Sequence, residues 1–250
     1  MRLAIRGIVL ACALGGFISL MPPASFAADT PPASAPATEI APAERLLFME
    51  PHLDGVDQQT ELDYAVDFSG PPTKVKDTVR VLVVSKGNTK NDARVSDRTG
   101  NVDVPGGLPC NPVIIYFLEH DITEMQELTG GQRRYFQQRV RLALAANPAI
   151  TPVSGEALGL ARNVKAKQIV IQPFLNDPNA ERLQQYTNKR YTFVVADDVP
   201  GHVILIRTEV PGAGNDFAHP LQKETVAYSG ALKNMATPGG KVGNAPRASR

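Results

Sequence analysis

Cysteine is scarce in this chain, which has two cysteines among its 250 residues. Cys12 lies in an N-terminal apolar segment that we expect to be removed, which would leave Cys110 alone. A single cysteine cannot form a disulfide within its own chain. We therefore expect a hydrophobic core to stabilise the protein, and the chain is long enough to bury one sizeable core or two small ones.

An excess of positive charge is also absent. The sequence has 26 Lys and Arg against 25 Asp and Glu, and loss of residues 1–27 removes Arg2 and Arg6. The mature chain then carries 24 basic and 25 acidic residues, a net charge of −1. It has no long basic stripe with interleaved aromatic residues. These properties argue against nucleic acid as a partner.

Several motifs of catalysis are missing as well. The chain contains no GxSxG elbow, no SxxK, no HExxH and no glycine-rich phosphate loop. The stretch DRTGNVD, residues 97–103, spaces side-chain oxygens as calcium loops do, but it lacks their glycine and terminal glutamate. A hairpin turn is therefore favoured there. No metal site and no cofactor are predicted, and a hydrolase or metalloenzyme is the least favoured function.

The N-terminus has the pattern of a secretory signal peptide. Arg2 and Arg6 precede an apolar run over residues 7–21, and the small residues of SFAA follow. Cleavage is expected after Ala27 or Ala28, which predicts a periplasmic or secreted protein of the cell envelope. The alternatives are a retained membrane helix, for which the run is shorter than the ~20 residues required, and a lipoprotein modified at Cys12.

Composition divides the rest of the chain into three parts. Residues 28–44 are rich in Pro and Ala and are typical of a flexible linker. Residues 45–232 are predicted to form a single α+β domain. Residues 233–250 are rich in Gly and Pro, carry four basic and no acidic residues, and are predicted to be a disordered tail. This tail is either simply solvated or makes a weak contact with an anionic membrane surface.

Apolar periodicity predicts strands on both sides of a helical region. LDYAVDFS alternates, with Leu62, Tyr64, Val66 and Phe68 on one side, as in a strand with one solvated face. Strands are also predicted over residues 78–86, 168–174, 191–196, 202–210 and 224–232. The turn sequence DDVPG should join two of them in an antiparallel hairpin, and Asp177 is predicted to cap a short helix. Because strands precede and follow the helices, the order predicts a curved, mostly antiparallel sheet packed against a helical hairpin.

The first helix is predicted from the N-cap Asn111 and Pro112 to Leu128, where Gly130 and Gly131 end it. It contains FLEHDITEMQEL, the most catalytic-looking stretch of the chain. At about 100° per residue, Ile114, Leu118, Ile122 and Met125 share one face. His120, Glu124 and Glu127 fall on the opposite, solvated face. An outward column lacks the burial that acid–base catalysis requires.

The second helix is basic where the first is acidic. Residues 133–141 contain four arginines and no acid, whereas residues 119–127 contain four acids. The favoured interpretation is an antiparallel hairpin with opposite charges along the seam, although each exposed pair contributes only about 0–1 kcal/mol. In the alternative, the outward Glu124, Arg134 and Arg141 bind a partner, such as an envelope protein or an anionic head group.

Cys110 precedes the N-cap of the first helix, and two interpretations apply to it. A helix dipole lowers the pKa of a nearby thiol and can make it reactive. Alternatively, Cys110 packs on Ile115 as a hydrophobic staple, which is the favoured interpretation. His202 and His219 lie near turns and are candidates to line a cleft.

The helix entry NPVIIYFLEHDI, the strand KQIVIQPF and the hairpin RYTFVVADDVPGHVILIR together resemble the layout of periplasmic lipoprotein carriers and their relatives of unknown function. The resemblance covers residues 62–232 and is one of order and pattern. It implies a curved antiparallel sheet whose concave face holds acyl chains. The ligand-binding residues implied here are Val66, Phe68, Val81, Ile169, Ile171, Phe193, Ile204 and Ile206, for which the alternative is ordinary core packing.

The expected function is therefore an exported binding or carrier module for an apolar ligand or lipid. The alternative is a structural or interaction protein of the envelope that holds no ligand. A carrier predicts a cavity, whereas an interaction protein predicts a solid core and an exposed patch.

Overall fold

The computed structural model describes residues 39–85, 92–158 and 164–233. The described chain has an α+β fold in which an antiparallel sheet of nine strands packs against helices, as the sequence predicts. The strands are β1 Thr60–Ser69, β2 Asp77–Val83, β3 Ala93–Asp97, β4 Gly100–Val102, β5 Ile150–Ser154, β6 Lys165–Ile171, β7 Arg190–Val195, β8 Val203–Val210 and β9 Gln222–Lys233. The helices are α1 Pro42–Phe48, α2 Pro112–Thr129, α3 Arg133–Ala145 and α4 Ala180–Leu183.

The sheet has the strand order β4-β3-β2-β1-β9-β8-β7-β6-β5, with every pairing antiparallel. The first four strands run outward to one edge, and α2 and α3 then carry the chain across to the other edge. The last five strands run back until β9 pairs with β1, with Thr60 opposite Lys233. Register shifts occur at Asp63/Tyr64 and at Val194/Val195. Such bulges locally increase the right-handed twist of strands.

The helical hairpin forms as its caps and periodicity predict. The Asn111 side chain accepts a hydrogen bond from the Val113 amide at 3.1 Å, and Gly130 ends α2 in the left-handed conformation. The predicted apolar face of α2 is buried at Ile114, Leu118, Ile122 and Met125. Three apolar side chains of α3 are also buried: Phe136, Val140 and Leu144. These side chains join the sheet residues in one core cluster.

The acidic column on α2 differs in part from its prediction. His120 and Glu127 are exposed, as expected, but Glu124 is only half-exposed and lies 2.7 Å from the Lys74 ammonium. Glu119 forms the predicted seam contact by pairing with Arg133 of α3. Asp121, counted among the seam acids, is buried instead, because its position on the helix faces the core.

Several predicted boundaries are corrected by the structure. The folded part starts before residue 45, because Pro42 begins α1 and Ala43 is fully buried. The strand predicted over 168–174 is β6, shifted three residues toward the N-terminus. Asp177 does not cap α4, whose N-cap position is Asn179, although Asp177 accepts the Asn179 amide at 2.8 Å.

Both terminal segments lie largely outside the described residues. The predicted signal peptide, most of the linker and the basic tail beyond Lys233 therefore remain predictions. Within the described residues, no helix combines the length and apolar character needed to cross a membrane.

Gly201 lies in the turn between β7 and β8, where neighbouring side chains leave no room for a Cβ atom. Its φ is +77°, and a Cβ there would lie 2.5 Å from Leu62 Cδ1 and 2.7 Å from Asn111 Nδ2. We expect Gly201→Ala to lower the free energy of unfolding by about 1–3 kcal/mol more than Gly214→Ala. Gly214 is the matched control because its φ of +71° imposes similar strain while nothing lies within 4 Å. Urea unfolding of both variants tests this, and equal losses would contradict it.

Candidate functional site

An open cleft of about 860 Å³ lies at the end of the sheet where β2 finishes and β3 begins. Four segments form it: the loop after α1, the facing ends of β2 and β3, the end of β4 with the loop that follows, and the first turn of α2. The lining residues are Met49, Pro51, Leu53, Asp54, Val83, Ser85, Asp92, Ala93, Arg94, Val95, Asn101, Val102, Asp103, Val104, Pro105, Gly106, Gly107, Leu108, Pro109, Cys110, Pro112 and Ile115.

Most of the described lining residues are apolar by type, although polar and apolar atoms contribute almost equally to the exposed surface of the cleft. No aromatic side chain is among the lining residues that the structure describes. Charged groups are few, with Asp54, Asp92 and Asp103 against Arg94. The Asp92 carboxylate accepts a hydrogen bond from the Ser85 hydroxyl. The described lining therefore combines apolar side chains with a few charged and polar groups, and it offers no ring on which a planar ligand would stack.

Two walls of the cleft are joined by a buried hydrogen-bonded connection, which we call the clasp and define as His52 and Asn111. His52 lies within the wall segment 49–54, and Asn111 lies between Cys110 and Pro112 of the opposite wall. The backbone amide of Asn111 donates a hydrogen bond to His52 Nδ1 at 3.2 Å. Both residues are fully buried, so the clasp lies behind the surface of the cleft.

The Asn111 side chain extends the clasp into the sheet. The side-chain nitrogen Nδ2 donates to the Tyr64 hydroxyl at 2.7 Å and to the Gly201 carbonyl at 2.8 Å. The side-chain oxygen caps α2 at Val113. One asparagine therefore connects the loop after α1, the start of α2, strand β1 and the β7–β8 turn.

The hydrogen bonds of His52 define its tautomer. A backbone N–H only donates, so Nδ1 must accept from Asn111, and Nε2 must carry the proton that it donates to the Leu46 carbonyl at 2.9 Å. The ring is thus neutral. The pKa of His52 is lowered from 6.5 to about 4, mainly by burial and to a smaller extent by the neighbouring His202, although the hydrogen bond to Leu46 acts in the opposite direction. Tyr64 is likewise kept un-ionised, because burial raises its pKa well above the ordinary value.

Cys110 lies in the wall of the cleft and is 4% exposed. Burial raises the pKa of its thiol to about 12, so desolvation outweighs any lowering by the helix dipole. Burial and the raised pKa therefore favour a packed, un-ionised thiol over a reactive thiolate. His202 lies beside the clasp, with its ring 5.4 Å from that of His52, and its buried Nδ1 has no hydrogen-bond partner among the described residues. His219 is exposed and lies 2.8 Å from the Asp216 carboxylate.

A buried ion pair lies between the helical hairpin and the sheet. Asp121 accepts from the Lys189 ammonium at 2.5 Å and from the Tyr191 hydroxyl at 2.6 Å. The two charged side chains are 4% and 5% exposed. The edge-to-face rings of Phe136, Phe174 and Tyr191 pack beside it. Side chains therefore fill this part of the interface.

The structure brings together most of the eight residues that the resemblance implied as ligand-binding, but in the core. Val81, Ile169, Ile171, Phe193 and Ile206 are at most 4% exposed and belong to the main core cluster. Val66 packs against that cluster, and Phe68 is half-buried. Ile204 lies in a second, smaller cluster with Val194. None of the eight lines the 860 Å³ cleft.

The three residues predicted to bind a partner are separated in the structure. Arg134 and Arg141 are exposed on α3, whereas Glu124 is directed to Lys74, which also lies 3.0 Å from Glu224. Glu124 therefore connects α2 to the loop before β2 and to β9 rather than facing solvent as an unpaired carboxylate.

Sequence reasoning missed the residues of the cleft and of the clasp. Asn111 was recognised as a cap, but its contact with His52 joins positions 59 residues apart. His52 had no local pattern around it. The prolines at 105 and 109 with Gly106 and Gly107 were the available signal, because such a stretch indicates an irregular loop, where binding residues often lie.

Comparison of the chain with protein-family models, curated proteins and solved structures finds no match in any of the three.

Proposed function

We propose that this chain is an exported binding module, periplasmic or secreted, whose cleft holds an apolar ligand such as an acyl chain. The observation that carries the proposal is the 860 Å³ cleft, in which most of the described lining residues are apolar. Ligand pockets of proteins typically have volumes of about 300–1,000 Å³ and mostly apolar walls. The signal-peptide pattern of the sequence supports export.

The position of the proposed site differs from the one that the resemblance implied. The interface between sheet and helices is filled by packed aromatic rings and by the Asp121–Lys189 pair. The cleft instead uses the sheet end and the loop over residues 103–110, where six of the eight residues are exposed. A ligand there can enter and leave without disturbing the core.

A structural or interaction role in the envelope is the second candidate. It is favoured by the filled core and by the exposed Arg134 and Arg141 on the outer side of α3. That helix has no acidic residue, so its solvated face would suit an anionic partner surface.

A tryptophan introduced into the cleft tests the binding proposal. The natural chain has no tryptophan, so Leu108→Trp adds one reporter within the lining. N-phenyl-1-naphthylamine, an uncharged apolar fluorophore, should quench this tryptophan by energy transfer and show saturable binding in the micromolar range. A Kd of 1 μM corresponds to about 8 kcal/mol, a magnitude that aliphatic burial in a cleft of this size can supply.

Leu142→Trp is the matched control. Leu142 and Leu108 are both 47% exposed, but Leu142 lies on α3 and does not line the cleft. Its fluorescence should change much less at saturation because energy transfer falls steeply with distance. Quenching without saturation, or equal quenching in both variants, would contradict a cleft-bound ligand and favour the interaction role.

A further inference from the structure

We propose that the cleft is acid-sensitive: protonation of His52 breaks the clasp and lowers the affinity of the cleft for its apolar ligand. This inference rests on the proposed function, because it describes how that same site is regulated. The clasp joins the wall segment 49–54 to the wall that begins at Pro109, and it does so entirely from behind the ligand surface. Loss of this hydrogen bond therefore changes the contact between the two walls.

The neutral imidazole satisfies both of its neighbours, and the charged imidazole cannot. Nδ1 accepts from the Asn111 amide at 3.2 Å while Nε2 donates to the Leu46 carbonyl at 2.9 Å. Protonation adds a second N–H at Nδ1, so two donors would face each other. The Asn111 amide then loses its acceptor in a fully buried position. Separation of His52 from Asn111 relieves both problems, because each group can then reach water.

The ionisable groups around His52 belong to several elements. His202, from the β7–β8 turn, has its ring centroid 5.4 Å away and opposes a charge on His52. Asp197, from the same turn, favours the charge, but it is exposed and lies 3.2 Å from Lys167. Tyr64 of β1 and Cys110 before α2 are buried, and their raised pKa values keep them neutral. The Leu46 carbonyl of α1 also favours the charge, but burial outweighs both attractions.

The other contacts of Asn111 explain which wall of the cleft moves when the clasp breaks. Asn111 caps α2, contacts Tyr64 and Gly201, and is followed by Pro112 and Ile115 of the lining. These other contacts keep the α2 wall attached to the sheet. Among the described residues, the hydrogen bond from Asn111 to His52 is the one that joins the segment 49–54 to that wall, so this segment is the one that moves.

The experiment is a titration of the full chain with N-phenyl-1-naphthylamine between pH 6.5 and pH 3.5. Because burial places the pKa of His52 at about 4, about three-quarters of the rings are protonated at pH 3.5. We expect the affinity to be about fourfold lower at pH 3.5 than at pH 6.5. The probe is uncharged, so changes of charge elsewhere in the lining do not act on it directly.

Two histidine variants separate the clasp from other acid effects. His52→Gln keeps an amide donor for Leu46 but does not titrate, so its affinity should be equal at the two pH values. His120→Gln should retain the fourfold change, because His120 is exposed on α2. A His52→Gln chain that still loses affinity fourfold would overturn the proposal, as would a natural chain whose affinity does not fall.

Hydrogen exchange of the natural chain gives a readout that requires neither a variant nor a ligand. The backbone amide of Asn111 should lose most of its protection between pH 6.5 and pH 3.5, because the clasp is then mostly open, while the core amide of Ile169 remains well protected. Constant protection at Asn111 would overturn the acid-sensitive clasp. A failure of the probe to bind at pH 6.5 would instead refute the proposed function, and the exchange result would then decide about the clasp on its own.

Discussion

Lys189→Met is expected to lower the free energy of unfolding by about 3–5 kcal/mol, the cost of leaving a buried charge without its partner. Lys189 and Asp121 are both nearly fully buried, and their charged atoms are 2.5 Å apart. Removal of the ammonium leaves the Asp121 carboxylate with the Tyr191 hydroxyl as its remaining side-chain donor among the described residues. Chemical unfolding in urea measures the change through the midpoint at constant slope.

Two further variants show whether burial is the cause. Lys167→Met removes a partner of Asp197 at 3.2 Å, but both side chains of that pair are more than 40% exposed, so the loss should stay below about 1 kcal/mol. Combining Lys189→Met with Asp121→Leu and Tyr191→Phe removes the buried charge altogether. This triple variant should recover most of the lost stability. If the triple variant is as unstable as the single one, packing rather than charge explains the effect.

Acid is expected to destabilise the fold through His52 by about 3 kcal/mol between pH 6.5 and pH 4. The pKa of His52 is about 4 in the folded chain, against 6.5 for a solvated histidine. Between these two values the unfolded chain binds a proton that the folded chain does not, so stability falls as the pH falls. Above pH 6.5 His52 causes no loss of stability, and below pH 4 it causes no further loss.

His52→Gln should remove this slope from the stability curve. Asp97 and Asp216 have lowered pKa values and add acid sensitivity mainly at lower pH, and Glu61 has a raised pKa and acts in the opposite direction. Subtraction of the variant curve from that of the natural chain cancels these contributions. Urea midpoints at half-unit pH intervals would show the difference, and parallel curves for the two chains would refute the assignment.

The fold was predictable where local physical chemistry determines it. Asn111 and Pro112 mark the start of α2, and apolar side chains at helical spacing mark its buried face. Alternation marks β1, and DDVPG marks the β7–β8 hairpin. The edge strand β5 escaped prediction because it contains Pro152 and is mostly exposed, so it shows no alternation. An edge strand pairs on one side only and buries few apolar side chains, so its sequence shows little apolar alternation.

The buried ion pair and the cleft were much less predictable. Asp121 lies within 40° of Met125 on the helical wheel, so its burial could have been found, but its charge suggested a solvated position. Its partner Lys189 is 68 residues away, and no local pattern connects the two. The cleft combines four segments between residues 49 and 115. Its volume depends on how these segments pack, and a pattern of single residues does not contain that information.

The position of β9 beside β1 has a consequence for how the molecule is made. The register pairs Thr60 with Lys233, so the middle of the sheet joins the first strand to the last. The two outer meanders can form from neighbouring hairpins, but β1 lacks one of its two partners until β9 has been synthesised. Contacts between such distant segments slow folding, because a long loop must close before they form. Until then β1 presents an unpaired edge that can associate with other chains. Export in an unfolded state would therefore place the completion of the sheet, and the risk of aggregation, at the last stage of translocation.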